Sequence, residues 1–536
     1  RMSGRPIDIH DPDHWEREAA EMRAERAADE RTPADPPIAQ RDGGHDHADY
    51  PPLELLGVDH TGSTQDGPPA WLGSVPPPYG EHLTEFGNAR RLIRQHGEDM
   101  RFCHPWGKWL IWDGSRWAPD STGEAARRAK ATIVGIYREA AGAASPDMRK
   151  ALSSFAIKSE KASAIAAMLK IAESEPGIPI LPAALDANPY LLCVENGTVC
   201  TRTGTLRGHQ REDLITKLAP VTYNPSAMAP TWTAFLDNIL ENRPDLIQFV
   251  KLWLGYCLTG DVSEHCMVVA YGTGRNGKST LFETFAKIIG DYAGTVPNSL
   301  LLAQKNESHP TERARLYGLR LAVCSETGAG RLLDESSLKK LTSGDKIDAR
   351  RMREDFWDFE PTHKLVLYTN HPPRIRTTDE GTWSKVLLLP FKVTIAKKDR
   401  DRNLAAKLWA ERAGILTWVI AGAKEWNVSG LGDCKDVRDA TDEYRSDQDV
   451  LGPWLAECCI TEPSASAPAK DLYESYKAFA KADGDDKPMS NQLFGRLLSE
   501  RGIGRKPGTV PRRLGVRLKD LTDRAKDANR EPGEEG

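Results

Sequence analysis

Nine residues, Gly272, Thr273, Gly274, Arg275, Asn276, Gly277, Lys278, Ser279 and Thr280, have the types and spacing of a loop that binds a phosphate chain. Glycines let the backbone curl until successive N–H groups face one anion, and a following helix adds the partial positive charge of its N-terminus. In such a loop Lys278 reaches the β- and γ-phosphates and the Ser279 hydroxyl is placed for a metal, so ATP and Mg²⁺ are the expected ligands. The other reading is a structural glycine turn that happens to carry a lysine. Context decides between them. Residues 266–271 form a short apolar run that suits a strand buried on both faces. Leu281, Phe282, Phe285, Ile288 and Ile289 then recur at helical spacing, with Gly290 as a stop.

Three further apolar runs follow. Residues 319–326 read as a strand ending in Glu326, which can hold Mg²⁺ or polarise an attacking water at the carboxyl end of a parallel sheet, beside the loop. A solvated strand-end glutamate is the alternative. Residues 364–370 read as a strand ending in Asn370, whose amide can hydrogen-bond a γ-phosphate and the water. An asparagine that merely starts the turn 370–373 would look the same. Residues 386–391 complete the expected core sheet. Between these runs, Asp334 or a neighbour caps a short helix over residues 338–341 that stops at Gly344, and residues 345–359 read as a hairpin with basic residues near its tip.

The order GTGRNGKST (272–280), RLAVCSE (320–326), LKKLTSGDKIDAR (338–350) and KLVLYTNHPP (364–373) resembles motifs A, B, B′ and C of the superfamily 3 helicases. More narrowly, it resembles the helicase part of phage and plasmid primase–helicases, relatives of the poxvirus NTPase-primase. The resemblance implies an AAA+-type P-loop ATPase, a hexameric ring and 3′-to-5′ movement on single-stranded DNA. It also implies that the hairpin faces the ring channel, with Lys346, Arg350, Arg351 and Arg353 as candidate phosphate contacts. A basic edge strand guarded by its charges is the competing reading. One departure stands out. Family members often carry an Arg pair before the final strand, used by a neighbouring subunit as its finger, whereas this chain has Trp383-Ser384-Lys385. Lysine lacks the guanidinium fork. Either Lys385 serves, or Arg374 or Arg376 does, or hydrolysis is slow.

The elements around this block follow from composition. A chain of 536 residues suggests three or four domains. With 72 basic and 77 acidic side chains the net charge is −5, so DNA binding must use local patches. No apolar run is long enough to span a membrane, no signal-peptide pattern opens the chain, and nine cysteines without a C-x-x-C pair read as reduced thiols with no structural zinc. The expected setting is a cytoplasm, that of a bacterial host if the gene is a phage's. Arg1-Met2 reads as an expression scar or a cut upstream of the natural start.

The expected fold class is α/β: an AAA+-type P-loop core, a preceding α+β domain and a C-terminal winged-helix-like domain. Residues 1–78, poor in aromatic and β-branched residues, read as a disordered segment whose His45 and His47 are not a metal site. Residues 79–225 read as the α+β domain that precedes the helicase module in the same primase–helicases. It comprises a helix over 84–93, a hairpin over 101–117 turning at Asp113-Gly114, helices near 123–143 and 147–175, and a strand pair turning at Asn196-Gly197. Trp109, Trp112 and Trp117 are read as core residues rather than base-stacking platforms. Residues 226–262 read as helical, and the resemblance implies that they form the collar on which subunits assemble; 263–395 are the expected ATPase domain and 396–445 a helical extension. Residues 446–520 are the winged-helix-like domain, rich in late basic residues (Arg501, Arg505, Lys506, Arg512, Arg513, Arg517, Lys519), and 521–536 a flexible tail. A helical interaction domain without DNA contacts is the alternative for 446–520.

Together these expectations describe an ATP-dependent DNA helicase of a phage or mobile element, acting as a homo-oligomer on single-stranded and forked DNA. With so little sequence ahead of residue 79, primer synthesis is expected of a separate primase, with a polymerase as a further partner. The competing classes are an ATP-dependent initiator or loader without processive unwinding, and a non-catalytic DNA-binding scaffold.

Overall fold

The computed structural model describes residues 81–303, 310–325, 331–351, 355–375, 379–449, 451–482, 488–520 and 523. The expectations for residues 1–78, and for the tail apart from Asp523, fall outside them. The chain divides into two compact units at Gly73, and the described residues belong to the second.

That unit begins with α1 (Glu85–His96), whose first turn is capped by the Thr84 hydroxyl accepting the Gly87 N–H at 3.1 Å. Where a single hairpin was expected over 101–117 there are three antiparallel strands, β1 (Met100–Cys103), β2 (Lys108–Trp112) and β3 (Trp117–Pro119). The difference is Gly107, whose left-handed φ of +59° closes an extra tight turn after His104-Pro105-Trp106. Helices α2 (Glu124–Gly142) and α4 (Ala162–Ala172) share a core with this sheet, and α3 (Pro146–Ser159) packs on α2; the expected helix over 147–175 is thus two, broken at Glu160-Lys161. Trp117 is fully buried, while Trp109 and Trp112 are half-buried at the edge of the core. A second small sheet, β4 (Leu191–Val194), β5 (Gly197–Cys200) and β6 (Leu206–Arg207), turns at Glu195-Asn196.

Helices α5 (Pro230–Ile239) and α6 (Pro244–Cys257) lead into a five-stranded parallel sheet. Its strands are β7 (Met267–Tyr271), β8 (Ala293–Thr295), β9 (Leu321–Ser325), β12 (Lys364–Thr369) and β13 (Val386–Pro390), in the order β13-β7-β12-β9-β8. Alternate side chains feed two cores. Val268, Ala270, Val366 and Leu389 face the α5–α6 side; Met267, Val269, Leu365, Leu367 and Leu388 face the other. Burial on both faces explains why these strands read as unbroken apolar runs. Helix α7 (Lys278–Ile289) follows β7. Helix α8 (Glu335–Thr342), capped by Asp334, leads to the hairpin β10 (Ile347–Arg350) and β11 (Phe356–Phe359).

After the sheet come α9 (Leu404–Ala410), α10 (Arg412–Ser429) and α11 (Lys435–Gln448). Helix α10 packs along α6, and α11 covers the edge strand β13, where the Leu388 N–H donates to Thr441 Oγ1 at 3.0 Å. The last part has its own core around Trp454, Tyr476 and Phe494. It comprises α12 (Gly452–Cys458), α13 (Ala469–Ala482), α14 (Asn491–Glu500) and the antiparallel sheet β14 (Cys459–Pro468), β16 (Arg512–Leu518), β15 (Arg505–Lys506). Among the described residues no helix is long and apolar enough to cross a membrane.

Helices α6 and α10 touch through glycine. A Cβ at Gly255 would stand 2.2 Å from the Ala423 amide nitrogen and 2.3 Å from the Gly422 carbonyl carbon. A mid-helix Gly→Ala change normally helps a helix by about 1 kcal/mol, but overpacking against backbone costs about 1–3 kcal/mol. Gly255→Ala is therefore expected to lower stability, seen as a lower chemical-denaturation midpoint; a raised midpoint would show that the helices separate without cost.

Candidate functional site

The loop 272–280 leaves β7 at the carboxyl edge of the sheet and enters α7, and its geometry is set by what its glycines touch. A Cβ at Gly272 would lie 2.2 Å from the Phe391 carbonyl oxygen, and one at Gly277 would lie 2.5 Å from Ile239 Cγ2. Gly274 and Gly277 hold φ of +92° and +85°, and Arg275, at +57°, is a rare non-glycine in the left-handed region. Asn276 is buried and braces the loop: its Nδ2 donates to the Phe391 carbonyl at 3.2 Å and its Oδ1 accepts from Lys278 Nζ at 3.1 Å. Thr273, Arg275 and Ser279 are exposed, and Ser279 stands in the first turn of α7; Thr280, one residue on, is half-buried.

Lys278 is the centre of the site. It is 4% exposed, and its Nζ donates to the Gly272 carbonyl at 2.7 Å, to Asn276 Oδ1 and to Asn370 Oδ1 at 3.4 Å. All three partners are neutral oxygens. Burial alone pushes its pKa down to about 8. Asn370 comes from the turn after β12, the strand hydrogen-bonded directly to β7, and it is exposed at the sheet end. A Cβ on Gly274 would be 3.7 Å from Asn370 Oδ1, so a side chain there would fill the hollow between loop and amide.

One feature differs from the sequence reading. The strand leading to Glu326 is not next to the loop: β12 lies between β9 and β7, so the end of β9 is two strand spacings, ~10 Å, from β7. Glu326 itself lies outside the described residues, as do Arg353 and Arg376. Lys385 precedes β13 at the amino end of the sheet, where its carbonyl accepts the Met267 N–H at 2.8 Å and its Nζ donates to the His265 carbonyl at 3.5 Å. Five strand residues, ~16 Å, separate it from the loop of its own subunit. Arg374 is exposed on the loop's end of the sheet, where its backbone pairs with Arg331 and Leu333. The bracing role of Asn276 was missed, since its spacing within the loop carried no signal for it.

Lys346 faces Glu360 at 3.6 Å, Arg350 lies over the Phe356 ring at 5.2 Å and Arg351 over Trp357 at 5.6 Å. In the C-terminal part most of the late basic residues hold the fold together. Arg513 is buried and donates to Ser499 Oγ at 2.7 Å and to the Ile503 carbonyl. Arg501 pairs with Asp449, Arg517 with Asp523, Arg512 bonds Ser466, and Lys519 donates to the Ala456 carbonyl. Arg505 and Lys506 are exposed on β15.

The site therefore belongs to a mixed α/β protein with a glycine loop at the carboxyl end of a parallel sheet. Comparison with known proteins places it more narrowly. Residues 89–241 match the family described as D5 N terminal like, and residues 270–382 match a family of unknown function, DUF5906. A protein of Acanthamoeba polyphaga mimivirus provisionally named a helicase, L207/L206, is 26% identical over 326 residues, covering 56% of this chain and 34% of its own length. A protein of African swine fever virus provisionally named a primase, C962R, is 28% identical over 325 residues, covering 55% and 33%. A solved structure, the apo NrS-1 C-terminal region, aligns over 77% of this chain and 94% of its own at 12% identity, with a TM-score of 0.42, too low to carry an argument. The chain is related to the superfamily 3 primase–helicases. It spans about a third of the length of the curated relatives it matches.

The Lys278 ammonium fixes a pH dependence. Its pKa in the folded protein lies below the free value of 10.5, so between about 8 and 10.5 the folded state binds fewer protons than the unfolded chain and this group makes stability rise with pH. A polyphosphate favours the charged form and so binds less well as the proton leaves. The affinity of a non-hydrolysable ATP analogue should fall about tenfold from pH 7 to pH 9, and Lys278→Ala should flatten that slope. Equal slopes in calorimetric titrations of the two proteins would remove Lys278 from the phosphate site.

Proposed function

We propose that this chain is the motor part of a viral or mobile-element primase–helicase, an ATP-dependent DNA helicase of superfamily 3 with an AAA+-type core. The single observation that carries it is the meeting of Lys278, the glycine loop and Asn370 at one sheet end. In this reading the N–H groups of 272–280 and the Lys278 ammonium hold the β- and γ-phosphates of ATP. The donor set also fits Mg²⁺, which Ser279 would hold with Glu326 and which supplies charge neutralisation on the phosphates. The ~10 Å between the ends of β7 and β9 is room for a γ-phosphate and a water, oriented by Asn370. Lys278 leaves its neutral partners for the phosphate, so loop closure and ligand binding are one event.

The neighbouring subunit completes the site. Because Lys385 lies at the opposite end of the sheet, it can reach a nucleotide only on another subunit, whereas Arg374 stands on the loop's own side; this supports a ring, which the resemblance makes a hexamer. Lys346, Arg350, Arg351 and Arg353 contact the phosphates of single-stranded DNA, and the C-terminal part engages the fork or duplex as a winged helix. A separate primase or polymerase is the expected further partner, and the setting is the cytoplasm of the infected or host cell.

The test is the ATPase rate with and without single-stranded DNA. DNA-stimulated turnover is expected, with a loss of ~10²–10³-fold in Lys278→Ala and a smaller loss in Asn370→Ala. Turnover that ignores DNA, with no strand displacement on a fork, would move the assignment to an initiator or loader.

The C-terminal part gives a second test. Arg505→Ala with Lys506→Ala should lower the salt slope of DNA binding by about 2 with stability unchanged, whereas Arg513→Ala should lower the unfolding midpoint. An unchanged slope in the double variant would leave this domain as a protein-interaction module.

A further inference from the structure

The hairpin β10–β11 is wedged between two supports. On one side Asp348 pairs with Arg313 and Lys340, both of the ATPase domain. On the other, Trp357 and Phe359 of β11 lie 5.1 Å apart and both meet the Tyr317 ring edge-on, at 4.9 and 5.5 Å between centroids. Tyr317 in turn meets Trp106 edge-on at 6.1 Å. Trp106 belongs to the α+β domain, in the turn between β1 and β2 that Gly107 closes, where the Gly107 N–H donates to the His104 carbonyl at 3.0 Å. Arg351 continues the row over Trp357, and its charge reaches Tyr317 and Cys103, drawing both pKa values down against the burial that raises them.

The same domain grips the far end of the loop helix α7. Arg116 pairs with Asp291, just past the helix end. The Asp291 N–H donates to the Leu218 carbonyl at 3.1 Å, and the Asp291 carboxylate accepts the Leu218 N–H at 3.1 Å. The buried Tyr292 hydroxyl accepts the Cys193 N–H at 3.1 Å. Twelve helical residues, ~18 Å, run from that grip back to Lys278. One domain therefore meets both Tyr317, against which the basic hairpin packs, and the turn that ends the helix starting at the nucleotide loop.

We propose that Trp106 is a positioning residue for the basic hairpin, and that through Tyr317 and Trp357 it lets the α+β domain couple nucleic acid held at the hairpin to turnover at the loop. The inference rests on the reading of the hairpin as a DNA contact. It gives the half-buried indole a mechanical role in place of base stacking. A flat aromatic edge is what Tyr317 requires of its neighbour, so phenylalanine can stand in for tryptophan and alanine cannot.

The experiment compares the full chain with Trp106→Ala, Trp106→Phe and Arg351→Ala, reading basal ATPase, KM for ATP, stimulation by oligo(dT) and the salt slope of oligo(dT) binding. In Trp106→Ala basal rate and KM should stay within about twofold while stimulation falls ~5–10-fold, the size of an ordinary coupling between sites. Trp106→Phe should restore most of it. The salt slope should be unchanged in Trp106→Ala and lower by about 1 in Arg351→Ala, since only the latter removes a phosphate contact. Full stimulation in Trp106→Ala, with Arg351→Ala impaired, overturns the role of Trp106 and leaves the hairpin reading standing. Wild-type stimulation and slope in Arg351→Ala overturn the hairpin reading and this inference with it. Loss of basal turnover in Trp106→Ala that phenylalanine does not restore reduces Trp106 to a structural residue.

Discussion

A lysine ammonium held by neutral oxygens inside a glycine loop is the constraint around which the sheet is arranged. Burying a charge without an anion is unfavourable, and the low pKa of Lys278 measures that tension. The fold tolerates it by supplying three oxygens from two adjacent strand ends: Gly272 and Asn276 after β7, Asn370 after β12. Only parallel neighbours bring two such ends to the same edge. The bracing of Asn276 on Phe391, after β13, fixes the loop against a third strand end. In the proposed function a phosphate chain would replace these weak neutral partners with an anion, an exchange for which the site is preorganised.

The amino end of the sheet solves a related problem by different means. Lys364 and Arg320 are buried there and direct their donors to backbone carbonyls. Lys364 Nζ bonds Thr259 and, at 3.1 Å, Asp261; Arg320 bonds Leu258 and, at 2.7 Å, Leu191. Leu258 and Thr259 are the carbonyls just past the C-terminus of α6, where the helix carries partial negative charge. The two cations thus fasten the α5–α6 pair to the sheet, and Arg320 adds the small sheet β4–β6 through Leu191. Lys364 pays with a pKa pushed down to about 7. One end of the sheet is a structural clamp and the other is free for a ligand.

How much of this was legible follows from what each signal depends on. The strands and the loop helix could be read because burial on both faces leaves an apolar run, and because a phosphate loop needs glycine at fixed places whatever surrounds it. Strand order could not be read: nothing in residues 319–326 says that β12 would insert between them and the loop, and that insertion puts the end of β9 two strand spacings, ~10 Å, from the end of β7. Lys385 was legible as a departure in type, but its place at the amino edge depends on the sheet's parallel register. The extra turn at Gly107 was missed because Trp106-Gly107-Lys108 sits inside a run of aromatic residues that reads as one strand.

The basic residues of the C-terminal part show the same limit from the side of charge. A count of arginines from 501 to 519 is an electrostatic footprint only if the side chains reach solvent. Arg513 fills a pocket between α14 and the 503–504 turn, where a Cβ on Gly495 would strike its guanidinium at 2.7 Å. That arginine and its glycine are a packing pair, and the pairing of Arg501 and Arg517 with aspartates cancels two further charges. What remains for a partner among the described residues is the short β15 edge and the exposed Asn491 and Gln492 of α14, with Arg496 pairing with Glu500 at 3.5 Å, a narrower surface than the sequence implied. If this part engages DNA as proposed, an edge and a helix face of that size would reach one groove of a duplex, with few phosphates neutralised and a correspondingly shallow dependence on salt.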